Sequence, residues 1–245
     1  TLAPGQAATL ASRTLGYEWD EDLDNGFRPA GLIRLSTTTV DVSPNYLLDY
    51  GSTYGSGVAT HSLTLYRHSS GALVFGAGTV QGSWGLDGTP APGTTTPDVR
   101  MQQATVNLLA DMGVQPGTLQ PGLVPAAAST DVTPPTSLIA TPANGASLTV
   151  GTTVTISGTA ADSGGVVGGV EVSVDGGTTW RRADGRESWS FRWTPTAPGT
   201  VTIKSRAADD SGNIETPTAG ITVTVVGPTP TPTPTTAPTP PPSSI

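Results

Sequence analysis

The sequence predicts a multidomain chain: a partial α/β unit, an all-β sandwich and a Pro/Thr-rich polyproline II tail. Three observations carry this. Five segments between Thr153 and Val226 alternate apolar and polar residues, the period of half-buried strands. One helical pattern closes the first 120 residues, after strand-like segments. The last 19 residues are a low-complexity Pro-Thr tract.

Composition bounds the function classes. In 245 residues there are 31 Gly and 23 Pro, while charged residues make up only 12% and aromatics 5%. That mixture suits β-rich, turn-rich extracellular modules. A formal charge of −8 argues against a nucleic-acid partner, which needs clustered Lys/Arg. The densest basic patch, Arg181, Arg182 and Arg186, is diluted by Asp184 and Glu187. Zero cysteines exclude disulfides, thiolate catalysis and Cys-ligated metals. No apolar run approaches the roughly 20 residues of a membrane helix, so membrane insertion is not expected. The opening "TLAPGQAATL" reads like the middle of a longer chain. The expectation is a secreted bacterial protein, extracellular or on the cell surface.

The first distinctive segment is "GYEWDEDLDNGF" (16–27), with five carboxylates in seven residues. Asp20, Asp22 and Asp24 alternate as in a calcium loop. An EF-type loop counted from Asp20 needs Gly at its sixth position and Glu at its twelfth. Asn25 and Gly31 stand there instead. A non-EF calcium site on Asp20, Asp22 and Asp24, a solvated acidic turn and a functional carboxylate in a cleft all stay open. Glu18 lies between Tyr17 and Trp19, which can exclude water and raise its pKa for acid–base work. A solvent-facing strand-end glutamate is the plain alternative.

Alternating runs follow at 30–42 and 60–68, and 71–78 is continuously apolar, as in a strand covered on both faces. The two histidines, His61 and His68, differ in parity along one strand and so cannot share a metal; each reads as a surface residue. Tyr46, Tyr50 and Tyr54 recur every four residues, as a helical face, a sugar-stacking platform or loop packing. No G-x-S-x-G supports a nucleophile elbow, and "GAGTVQG" (76–82) fails the dinucleotide pattern. "PDVRMQQATVNLLADMG" (97–113) predicts a helix capped by Asp98 and stopped by Gly113, with Met101, Ala104, Leu108 and Met112 on one face. Strands with one terminal helix suggest an α/β unit whose earlier elements lie upstream of Thr1. Its sheet edge would then invite pairing with another protein chain.

A Pro-rich linker (121–135) separates this region (1–120) from the sandwich (136–226). Strands are expected at 153–161, 169–176, 188–194, 200–209 and 220–226, separated by turn signals at immunoglobulin-like spacing. The inward set is Val154, Ile156, Val170, Val172, Val174, Trp189, Phe191, Trp193, Val201, Ile203, Ile221, Val223 and Val225, with Trp180 over the edge. "DDSGN" (209–213) reads as an inter-strand turn or a cation-binding one. The tail (227–245) reads as a linker or stalk whose threonines can accept O-glycans.

Two resemblances add to this. "LGYEWDEDLDNGFRPAGLIRLS", "ATHSLTLYRHSSGALVFGAGTVQGSWGLD" and "VRMQQATVNLLADMG" resemble the C-terminal part of the N,N-dimethylformamidase large-subunit family, over about 15–114. The resemblance implies a glutamine-amidotransferase-like α/β domain. It also implies hydrolysis of small amides at an iron held by tyrosine and glutamate. Only Glu18 matches a family acid, and iron is implied only with the upstream part of that domain. "VEVSVDGGTTWRRA" through "AADDSGN" resembles bacterial Ig-like modules and the dimerisation domain of molybdenum-cofactor oxidoreductases, over about 133–226. Three functions follow as expectations. The first is a structural, display, assembly or filament role without catalysis, the second an iron-dependent amidohydrolase segment, and the third a carbohydrate-associated module of an exported enzyme.

Overall fold

The structure is a computed structural model that describes residues 6–16, 18–49, 51–89 and 96–227. The tail beyond Gly227, Tyr17 and Tyr50 lie outside the described residues, so the expected polyproline II segment and the tyrosine series cannot be followed there.

The first region is built from short strands: β1 (Ile33–Arg34), β2 (Thr38–Asp41), β3 (Tyr46–Leu47), β4 (Tyr54–Gly55), β5 (Val58–His61), β6 (Thr64–Arg67) and β7 (Leu73–Gly76). They form three small sheets, β1-β6-β7, β2-β5 and β3-β4, and every pair is antiparallel. The parallel strands of an α/β unit are absent among the described residues. The alternating run at 30–42 is two strands in different sheets, and the run at 60–68 breaks at Ser62–Leu63. The parity argument for the histidines therefore fails. His61 ends β5 and is buried, while His68 is exposed in a turn. The apolar run at 71–78 is also not covered on both faces. It supplies edge strand β7, with Val74 and Phe75 40% and 37% exposed.

Helix α1 (Val99–Asp111) forms as expected, but its buried face is Val106 and Ala110; Ala104 and Met112 are exposed. Gly113, at φ +78°, ends it: Gly113 N donates to the Ala110 carbonyl and Val114 N to that of Leu109. This Schellman pairing needs a left-handed residue, which glycine supplies without a Cβ clash. At the other end Asp98 Oδ1 accepts from Arg100 N at 2.9 Å and Oδ2 from Ala11 N at 2.8 Å. The Arg100 guanidinium closes on the same carboxylate at 2.7 Å.

The second region is a two-layer sandwich. Its strands are β8 (Thr136–Thr141), β9 (Ser147–Thr149), β10 (Val154–Ala161), β11 (Val167–Ser173), β12 (Arg181–Arg182), β13 (Asp184–Gly185), β14 (Ser188–Trp193), β15 (Gly199–Asp209) and β16 (Ile221–Val226). One sheet runs β13-β14-β10-β8 and the other β12-β11-β15-β16-β9, with β9 parallel to β16 and the other pairs antiparallel. The alternating residues face inward as the period-2 pattern requires: Ile156, Val170, Val172, Trp189, Ile203 and Val223 are buried in one core. Phe191, Trp193, Val201 and Ile221 pack against it, and the small residues Ala160, Val167, Ala183 and Ala207 fill the remainder. Gly158 sits at a register shift in β10, where a Cβ would run into the Leu138 carbonyl oxygen and the Trp189 ring. Trp180 covers the edge, with the Arg206 guanidinium 4.1 Å above its ring.

The side-chain bond from Arg100, with the backbone donors, outweighs burial and holds Asp98 down at about 2. A depressed folded pKa contributes stability above the unfolded carboxylate value of about 3.9. That contribution is lost as pH falls toward about 2. Asp98→Ala is expected to cost about 1–2 kcal/mol at pH 7. In urea unfolding the gap between wild type and variant should narrow at about pH 3.

Candidate functional site

The acidic segment is an extended strip laid beside the loop after β7. Asp20 N donates to the Gly78 carbonyl at 2.8 Å and Val80 N to that of Glu18 at 3.1 Å. Trp19 bridges Thr79, and Glu21 bridges His61. Side chains alternate along such a strip, so Glu18 and Asp20 face solvent while Trp19 and Glu21 turn inward.

Glu21 is the carboxylate that the strip tucks away. Its Oε2 accepts from the Tyr46 hydroxyl at 2.8 Å, and its Oε1 accepts from Thr60 N. The bond to Glu21, aided by its charge, raises the Tyr46 phenol above its usual value. His61 Nε2 lies 2.8 Å from the Ala77 carbonyl oxygen, and Trp19 meets its ring edge-on at 5.9 Å between centroids. Trp19 is thus turned to His61, and Glu18 stands exposed beside it. Glu21, Tyr46 and His61 converge from three separate elements, a grouping that no local spacing announces.

Asp22 is not part of a solvated turn. Its side chain is 7% exposed and held by two arginines. Arg28 donates to both carboxylate oxygens at 2.8 and 2.9 Å, and Arg34 Nε donates to Oδ2 at 2.7 Å. Burial alone would raise its pKa; the bonds and charges of Arg28 and Arg34 outweigh that and lower it. Asp24 pairs instead with Arg181 of the sandwich at 3.1 Å. Asp20, Asp22 and Asp24 are therefore not gathered as one calcium ligand set. Two arginines already occupy the Asp22 oxygens, Asp24 pairs with Arg181, and Asp20 faces solvent.

These pairs belong to a polar seam between the two regions. Arg28 reaches Glu171 of β11 at 3.8 Å, and Glu171 accepts from Arg206 Nε at 2.7 Å and from Gly31 N at 3.4 Å. Charge alternates along Arg34, Asp22, Arg28, Glu171 and Arg206, ending on the Trp180 ring. An apolar patch of Ile33, Leu65 and Ala208, with Ile214 and Leu108 against it, closes the seam beside these charges. A cavity of about 160 Å³ opens there, bordered by Arg34, Glu171, Arg182 and Arg186.

A second cluster sits at the end of the sandwich. Carboxylate oxygens of Asp131, Asp162 and Asp209 lie within 4.8 Å of one another. Among the described residues this is the group of three acids placed as metal ligands would be. Sequence reading singled out Asp209 through "DDSGN" but neither of the others. The available signal was the near-repeat of "AADSG" (160–164) and "AADDSG" (207–212), two similar turns that the sandwich brings together.

Residues 1–107 match the family model described as N,N-dimethylformamidase beta subunit-like, C-terminal, and residues 135–205 match that of a bacterial Ig domain. The two matches do not overlap, and each covers less than half of the chain. The dimethylformamidase-like region thus includes the acidic strip, and the Ig domain supplies Glu171 and Arg181 to the seam. No curated protein matches the chain. Similar solved structures include fibronectin(III)-like modules of Clostridium thermocellum CbhA, at 24% identity over 37% of this chain and 94% of that one, TM-score 0.33. A modular endo-β-1,4-mannanase from Cellulomonas fimi matches at 24% identity over 57% of this chain and 28% of that one, TM-score 0.26. Domains 4 and 5 of the S-layer protein SbsC match at 16% identity over 79% and 99%, TM-score 0.27. Among the described residues no helix is long and apolar enough to cross a membrane.

Asp22→Asn leaves the buried Arg28 and the partly buried Arg34 guanidinium groups short of their counter-charge. The expected loss is about 3–5 kcal/mol in urea unfolding at pH 7. Pairing it with Arg28→Met should recover part of that loss. The Asp22 contribution is present above the unfolded carboxylate pKa and should fade as pH falls through its lowered folded value.

Proposed function

We propose that this chain is a segment of a secreted bacterial multidomain protein with a structural, display or assembly role at the cell exterior. The seam carries this reading. The dimethylformamidase-like region directs Asp22 and Asp24 to arginines instead of a ligand, and the Ig domain acts as its brace. The Pro/Thr tract continues the chain as a spacer or glycosylated stalk, and the exposed Val74 and Phe75 on edge strand β7 offer a surface for another protein chain. The family match favours a second reading, a segment of an iron-dependent amidohydrolase acting on small amides. There Glu18 would serve as the acid, and an upstream part would complete a glutamine-amidotransferase-like α/β domain and its iron site.

Metal analysis and small-amide hydrolysis on the full-length protein separate the two. The structural reading expects neither stoichiometric iron nor turnover. Iron-dependent turnover that Glu18→Gln abolishes would establish the amidohydrolase instead. Retention on insoluble polysaccharide would favour the carbohydrate-associated role. For assembly, sedimentation of the 245-residue chain should show concentration-dependent association that Phe75→Lys weakens. A monomer at all concentrations removes the edge-pairing proposal.

A further inference from the structure

The Asp131, Asp162 and Asp209 cluster joins three separate parts of the chain: the linker, the turn between β10 and β11, and the end of β15. Asp209 is fully buried and immobilised. It accepts from Ser211 N at 2.9 Å, Asn213 N at 2.7 Å and Asn213 Nδ2 at 2.8 Å. Asp131 is held on one oxygen only, accepting from Thr133 N at 2.9 Å, and Asp162 likewise, from Gly164 N at 3.4 Å. Their other oxygens, Oδ2 of Asp131 and Oδ2 of Asp162, are shut off from solvent and have no hydrogen-bond partner.

Two buried, unpartnered carboxylate oxygens beside a third buried carboxylate are costly on their own. A lone desolvated acceptor costs about 1–3 kcal/mol, more when charged, and like charges add repulsion. No Arg or Lys among the described residues forms an ion pair with any of the three. A cation is the chemical partner such a set lacks.

We propose that Asp131, Asp162 and Asp209 bind a calcium ion that clamps the linker onto the end of the Ig domain. The donor set is all oxygen, with no histidine or cysteine, which selects a hard cation. Ligand distances of 2.3–2.6 Å place oxygens around one calcium up to about 5 Å apart, matching the observed convergence. Magnesium demands near-ideal octahedral geometry and keeps its waters, which three carboxylates from unrelated segments suit poorly. Gly164 and Gly165 border the cluster. A Cβ on Gly165 would stand 2.7 Å from Asp131 Oδ2 and 3.0 Å from Asp162 Oδ2, so a side chain there would crowd the oxygens that converge on the site. Asp210 is at hand as a fourth carboxylate, its Oδ1 2.6 Å from that same position. The linker already touches this end through Ser129 Oγ and Ser211 Oγ at 2.7 Å and through Asn213 Nδ2 and the Asp131 carbonyl at 3.1 Å. The ion would turn these two contacts into a fixed joint.

The test is calorimetric titration of the chelator-treated 245-residue chain with calcium chloride, paralleled by thermal unfolding. One saturable calcium site is expected, with Tm raised by roughly 5–10 °C at calcium about 100-fold above Kd. Asp162→Asn and Asp131→Asn should each abolish both responses. In chelator each should melt no lower than wild type, because a repelling charge has gone. Asp20→Asn, in the acidic strip, should titrate as wild type. A flat wild-type titration, binding that survives both variants, or an equal response to magnesium would overturn the proposal.

Discussion

Everything on the inner side of the dimethylformamidase-like region depends on how the Asp22 carboxylate is neutralised. A charge with its side chain 7% exposed is tolerated only when paired and hydrogen-bonded, and Asp22 accepts from two arginines at once. Arg28 in turn needs more than Asp22, and its second arm points to Glu171 of the Ig domain. Glu171 carries Arg206, whose guanidinium rests on Trp180. Asp22, Arg28 and Glu171 each face two partners of opposite charge, so the seam is a shared network and not a set of separate pairs. Buried ion pairs of this kind add little net stability over apolar packing; what they specify is register, one way for the two regions to meet.

The apolar part of the seam supplies the contact that the charges orient. Ile33 and Leu65 come from the first region and Ala208 from β15, with Ile214 packing over them. This patch is small compared with the sandwich core, where Ile156, Ile203 and Val223 are fully buried. Short strands of two to four residues cannot bury enough apolar surface alone. The first region therefore leans on the Ig domain for much of its order, while the Ig domain has a complete core of its own.

That asymmetry explains what was legible in the sequence. The sandwich strands β10, β11, β14, β15 and β16 were readable because each is six or more residues long and half buried, whereas edge strand β8, also six residues, went unread beside the Pro-rich linker. Period two then shows in the letters at Val170, Val172 and again at Ile221, Val223. The first region hides its pattern because its strands are too short to display a period. Leu73 to Phe75 look like an interior strand by composition yet lie at an edge, since the pairing that decides this comes from β6 alone. Likewise Asp22 and Asp20 are indistinguishable by local sequence. Which one is buried is settled by Arg34, twelve residues away, and by the Ig domain beyond. The three aspartates at the sandwich end are scattered over the linker and two turns, so only the fold reveals them.

The seam also fixes an order of events during synthesis. Gly31 bonds to Glu171, Arg67 to Ser211 and Asp24 to Arg181, partners separated by 140, 144 and 157 positions in the chain. A ribosome delivering the N-terminal end first releases the acidic strip long before any of these partners exists. Until the Ig domain is complete, that strip waits as a hydrated, mutually repelling stretch of carboxylates. Such a stretch stays soluble and resists premature collapse. The same side chains that later lock the two regions together are, at that stage, what keeps the unfinished chain open.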